Sequence, residues 1–106
     1  MIKAHQLKCW PPVFHHVATG KKTFEYRKND RGFLVGDILC LSEYLPVKKI
    51  YTGKYIMAKV TYIVYGGQFG IPPEYCIMGI KCVPNYSVDG RITRRSPAQN
   101  KKVGRG

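Results

Sequence analysis

Acidic side chains are scarce in this chain. Asp and Glu total 6 against 18 Lys and Arg, a formal charge of +12. A surface built only for solubility mixes the two signs. The imbalance therefore points to a polyanionic partner, of which nucleic acid is the commonest. Also missing is any apolar run of the roughly 18 residues that a bilayer crossing needs. The opening MIKAHQLKCW lacks the apolar stretch of a secretory signal. These absences lead to the expectation of a cytoplasmic protein with no membrane partner. The four cysteines, Cys9, Cys40, Cys76 and Cys82, form no C-x-x-C pair, so the spacing of a structural zinc site is lacking. Without an export signal their even number does not argue for disulfides. They read as small hydrophobes, and no metal or cofactor is expected. There is no internal repeat.

What is present suits one modest domain followed by a tail. Residues 2–9, IKAHQLKC, alternate loosely and read as a first strand. In PPVFHHVATG, Pro11 and Pro12 suit a helix start and Gly20 a helix end. Val13, Phe14 and Val17 give that short helix an apolar stripe, with His15 and His16 on its outer side. Residues 21–28 read as a second strand and NDRG, 29–32, as a turn. FLVGDILCLSEY enters a strand that is apolar on both faces, and LPVKKIYTGK, 45–54, reads as a loop or hairpin tip. YIMAKVTYIVY, 55–65, is the longest β-type run. GGQFGIPP is a loop, and EYCIMGIKC, 74–82, is the closing strand. The fold class is thus mainly β (α+β): a small, mostly antiparallel barrel or curled sheet with one early helix. The domain is placed at 1–83. Residues 84–106 hold 6 Lys and Arg but 1 Asp. With so little apolar content they are expected to form a basic flexible tail that adds phosphate-backbone contacts.

The stretch GKKTFEYRKND, 20–30, carries the densest chemistry. On a strand, side chains alternate with period two. Thr23, Glu25 and Arg27 then share one face and Phe24, Tyr26 and Lys28 the other. Lys21, Lys22, Lys28 and Arg31 can neutralise phosphates. Glu25 and Arg27 together offer an acceptor and a planar donor fork to one base edge or ribose. Asn29 and Asp30 can read polar edges from the turn, and His5 and Lys8 are expected to line the same cleft from the first strand. Tyr26, Phe69 or Trp10 can stack on a splayed base, although core packing is the expectation for Tyr26 and Trp10. The bland account of Glu25 and Arg27 is a structural ion pair fixing the strand.

These residues carry a family resemblance. Gly20, Lys22, Glu25 and Arg27, then Asn29 to Arg31, Val35 to Asp37, YTGK at 51–54 and VTYIVYGGQFGI at 60–71 resemble the DUF3850 family over about residues 2–83. That family is placed in the ASCH group of the PUA-like superfamily. The resemblance implies a small β-barrel with a cleft between barrel and early helix, RNA bound in that cleft, and frequent occurrence in bacteria and their phages.

Some ASCH relatives are amidohydrolases of modified cytidine, which implies a Lys, a nucleophilic Thr and a later Glu. Lys22 matches the Lys, but Glu25 stands where the Thr is implied, and Glu74 is the candidate later acid. Glu25 beside Lys22 engages the ammonium as an ion pair, a poor arrangement for activating a hydroxyl. Lys22, Glu25 and Glu74 are the catalytic candidates, but RNA binding without catalysis is the expected function. A nucleoside hydrolase or ribonuclease on the same cleft is the alternative, and a protein-interaction module of a phage is the third.

Overall fold

The computed structural model describes residues 2–84 and, as backbone, Ser87–Val88 and Arg91–Ile92. Eight elements follow one another: β1 (Ala4–Cys9), α1 (Val13–Ala18), β2 (Phe24–Lys28), β3 (Ile38–Leu45), β4 (Ile50–Tyr65), β5 (Tyr75–Cys82), and the short β6 (Ser87–Val88) and β7 (Arg91–Ile92). The first five strands form one curled sheet, a half-barrel, in the order β1-β3-β4-β5-β2. β1 pairs with β3 in parallel, while the other pairings of this sheet are antiparallel.

Alternation builds the concave side. β1 turns His5, Leu7 and Cys9 inward and leaves Ala4, Gln6 and Lys8 outside. The core adds Phe14 and Val17 of α1, Phe33, Leu39 and Leu41 of β3, Ile56, Ala58 and Val60 of β4, and Cys76, Met78 and Ile80 of β5. Each large apolar side chain buried there contributes about 1.5–3 kcal/mol. Ile38 and Leu39 are both buried, as a strand apolar on both faces requires. Pro12 caps α1 at its start, and Gly20, just past the end, takes φ +81, where a Cβ would strain the chain.

Two expectations need correction, on the 45–54 stretch and on Trp10 and Tyr26. The 45–54 stretch is not all loop: β4 starts at Ile50, and Tyr44↔Tyr51 and Leu45↔Ile50 extend the ladder beyond a register shift between Ser42 and Tyr44. The edge-on Tyr44–Tyr51 ring pair, with centroids 5.0 Å apart, offsets the weak strand character of Thr52-Gly53-Lys54. Within the stretch expected as a tail, 84–106, the described backbone pairs Ser87–Val88 with Arg91–Ile92; the rest of that expectation lies outside the described residues. Trp10 and Tyr26 are not core residues, being 56% and 49% exposed. Trp10 falls in the β1–α1 connection, and Tyr26 alternates with the inward Glu25, so neither can reach the interior.

No helix among the described residues is long and apolar enough to cross a membrane.

Candidate nucleic-acid cleft

β1 and β2 are the two edges of the curled sheet, and the cleft lies where they approach each other. Lys3 O accepts from Ile38 N, so alternate β1 carbonyls, those of Gln6 and Lys8, turn away from β3. Side chains fill the place of a sixth strand there. Arg27 Nη2 donates to Lys8 O, and Arg31 Nη1 donates to Gln6 O at 3.1 Å. Two guanidiniums from β2 and its following turn thus fasten the seam of the half-barrel.

Beside this seam opens a hollow of about 600 Å³, lined by Lys8, Cys9, Trp10, Val13, Lys22, Glu25, Tyr26, Arg27, Lys28 and Tyr75. Its acid is Glu25, only 4% exposed. Lys22 Nζ donates to Glu25 Oε1 at 2.9 Å and to Phe24 O at 2.7 Å. Arg27 donates to Glu25 Oε2 from Nε at 3.3 Å and from Nη2 at 3.2 Å. An ionised carboxylate buried without such donors would cost several kcal/mol. The two cations remain partly exposed and reach the acid from the rim. Glu25 Oε1 takes one donor among these contacts, and a carboxylate oxygen can accept more than one. Burial, reinforced by Glu25, pushes the neighbouring Cys9 thiol up to about 11 against the pull of Arg27 and Lys22. Cys9 is therefore a poor nucleophile at neutral pH.

The rim is basic and aromatic. Lys8 Nζ lies 4.4 Å from the centre of the Tyr44 ring, and Lys22 Nζ lies 4.7 Å from that of Phe24. Tyr26 stacks on Tyr75 with centroids 5.2 Å apart, and Lys28 is paired with Tyr75 across the β2–β5 ladder.

The structure brings together Lys8, Lys22, Glu25, Arg27 and Lys28 of the residues expected from sequence. It does not bring His5. That ring is buried against Phe33 and bonded to Asp37 Oδ2 at 2.9 Å, because it shares the inward face with Leu7 and Cys9 but sits at the other end of β1. Lys21 and Asp30 are exposed but outside the lining. Asn29 holds its own turn, with Oδ1 accepting from Phe33 N at 3.0 Å. Arg31 fastens the seam rather than lining the hollow. Phe69 is 86% exposed on the β4–β5 loop, and Glu74 is likewise not among the lining residues. Cys9, Val13 and Tyr75 went unforeseen as lining residues. Tyr75 had a legible signal, an aromatic heading a strand beside a charged partner; Cys9 and Val13 had none beyond closeness in sequence to Lys8.

Residues 4–80 match the family described as "Domain of unknown function (DUF3850)", and the chain belongs to that family. It is also similar to the "Uncharacterized 12.9 kDa protein in GpA 3'region" of Escherichia phage P2, 39% identical over 61 residues. That stretch covers 58% of this chain and 54% of the phage protein, so the chain spans about half the length of the relative it matches.

Proposed function

We propose that this chain is an ASCH-like module of the PUA-like superfamily that binds RNA in the β1–β2 cleft. One observation carries the reading. An almost fully buried carboxylate is held by two cations beside an open hollow that is ringed by further lysines and exposed aromatics. A purely structural ion pair has no need of that opening. Here the cluster presents a fixed acceptor, a planar donor fork and a positive rim, the groups that hold a base edge, a ribose and a phosphate. Trp10 and Tyr26 at the rim supply faces for a splayed base. Net charge supplies long-range attraction, to which the cations of residues 84–106 add.

A hydrolase draws less support from the same atoms. Lys22 Nζ already donates to Glu25 Oε1 and Phe24 O, no Thr takes the place of Glu25, and Glu74 is not in the lining. Incubation with N4-acetylcytidine is expected to release no cytidine.

The test is titration of the full chain with labelled single-stranded and structured RNA at low and high salt. Affinity is expected to fall steeply with salt. Lys8→Ala and Lys28→Ala should each reduce the salt slope by about one, and Trp10→Ala should weaken binding about tenfold. These three side chains are exposed, so their loss leaves the fold intact. Arg27→Ala is a poorer probe, because Arg27 also fastens the seam. No salt-dependent binding to either kind of RNA would refute the proposal.

A further inference from the structure

The convex face of β2, β5 and the second half of β4 carries a feature the cleft does not explain. Directly paired residues share a face of a sheet, so the ladders define its rows. Phe24, Gly79 and Tyr62 form one row, Tyr26, Ile77 and Val64 the next, and Lys28 with Tyr75 the third. Lys59 and Lys81 form a row at the opposite end. Phe24, Tyr26 and Tyr62 are exposed, the last by 68%. Aromatic side chains thus lie across three strands, over a patch about 10 Å wide and 13 Å long, with lysines at both ends.

Gly79 shapes the middle of this patch. Having no side chain, it lets neighbouring groups close over the strand between Phe24 and Tyr62. The bulge between Val60 and Tyr62 places Thr61 Oγ1 over it, 2.9 Å from where a Cβ would sit. A side chain at this position would collide with that hydroxyl, so the middle of the patch stays flat.

We infer that this face is a second binding surface, a stacking platform for single-stranded nucleic acid. The occupant follows from charge. No Asp or Glu stands at any outward position of these strand segments, whereas Lys28, Lys59 and Lys81 do. Protein interfaces favour aromatics but are depleted in lysine, while exposed aromatics bordered by cations on an open sheet are the arrangement that stacks bases and holds their phosphates. The chain's own residues 84–106 carry 6 Lys and Arg against 1 Asp, so like charge disfavours them as its cover. Tyr26, Tyr75 and Lys28 also line the cleft, which makes the platform continuous with it over the edge of β2. A strand held in the cleft at one nucleotide can lay its neighbours across the convex face. The platform does not require the cleft reading, since stacking on it needs no contact with Glu25.

The experiment uses the full chain and fluorescent oligouridines, a trinucleotide and a dodecamer, read by anisotropy at low salt. Tyr62→Ala and Lys81→Glu lie outside the cleft. Each is expected to weaken the dodecamer about tenfold and to leave the trinucleotide unchanged. An oligothymidine dodecamer should show the same loss, because stacking tolerates either sugar. Trp10→Ala separates the two sites, because Trp10 lines the cleft, is exposed and takes no part in the seam. If it weakens trinucleotide binding about tenfold while Tyr62→Ala leaves the dodecamer unaffected, the cleft stands and the platform is refuted. If the trinucleotide never binds but the dodecamer binds in a Tyr62-dependent way, the platform stands without the cleft. Light scattering covers the remaining occupant: a dimer that Tyr62→Ala converts to monomer, with dodecamer affinity unchanged, would assign the face to a second copy of the chain and overturn the inference.

Discussion

Two buried acids, one at each end of the concave side, have opposite surroundings. Asp37, 1% exposed, is sealed. It accepts from His5 Nε2 at 2.9 Å, from Leu34 N at 3.0 Å and from Lys3 N at 3.2 Å. Burial alone would raise its carboxyl, but these donors outweigh burial and hold it below the ordinary carboxylate value. Glu25 is buried almost as deeply, yet its donors are two long side chains reaching in from a rim, and the hollow lies beside it. Backbone N–H groups and a packed imidazole cannot rearrange without moving the chain, whereas a lysine and an arginine can. The sealed acid is a staple of the fold. The acid held by long side chains from the rim is the one that borders an opening.

Substitutions at the two acids sharpen this contrast. Asp37→Ala leaves two backbone N–H groups and His5 without their acceptor in the interior, and is expected to cost about 3 kcal/mol in a urea unfolding titration. The depressed carboxyl also fixes a pH dependence. Its contribution is present above the unfolded value and is lost as pH falls through the lower folded value. Wild type should therefore lose stability below about pH 4 more steeply than Asp37→Asn; parallel acid profiles would mean that the staple is not electrostatic.

Glu25→Gln should cost less, about 1 kcal/mol, since Lys22 and Arg27 can turn to water. Its larger effect is on binding. Removing one negative charge should keep or raise affinity for RNA as a whole while flattening preference among bases, measured by competition with homopolymers. Equal stability losses at Glu25 and Asp37, with base preference retained, would erase the distinction between them.

The smallest effect concerns thiols. Buried Cys9 and Cys76, both with raised thiols, should alkylate about tenfold or more slowly than half-buried Cys40 at neutral pH, read by mass spectrometry of the native protein. Glu25→Gln should speed Cys9 modestly, because the acid's charge adds to burial in raising that thiol.

Much of the fold was legible because its signals are local. The alternation of AHQLKC and FEYRK, the Pro-Pro entry to α1 and the doubly apolar ILCL each act within a few residues. The shared face of Glu25 and Arg27 followed from period two alone. What escaped the sequence depends on pairing between distant segments. The parallel partnership of β1 with β3 sets the far end of β1 apart from the cleft, and that removed His5 from the site. The same partnership leaves the Gln6 and Lys8 carbonyls open, and the bond from Arg31 to the first of them is not legible from local pattern. The first residues of β4 are hidden from local pattern because Gly53 breaks it, while their support comes across the strand from Tyr44 and Leu45. The exposure of Tyr26 was available from the alternation that placed Glu25 inward; the expectation of core packing gave aromatic character more weight than facing.

The arginine fastening of the seam has a consequence for how this molecule keeps to itself. A bare strand margin invites another chain to zip onto it, but guanidiniums standing over the carbonyls of β1 occupy the positions an intruding strand would need. Those clasps are rotatable side chains rather than a ladder of backbone bonds.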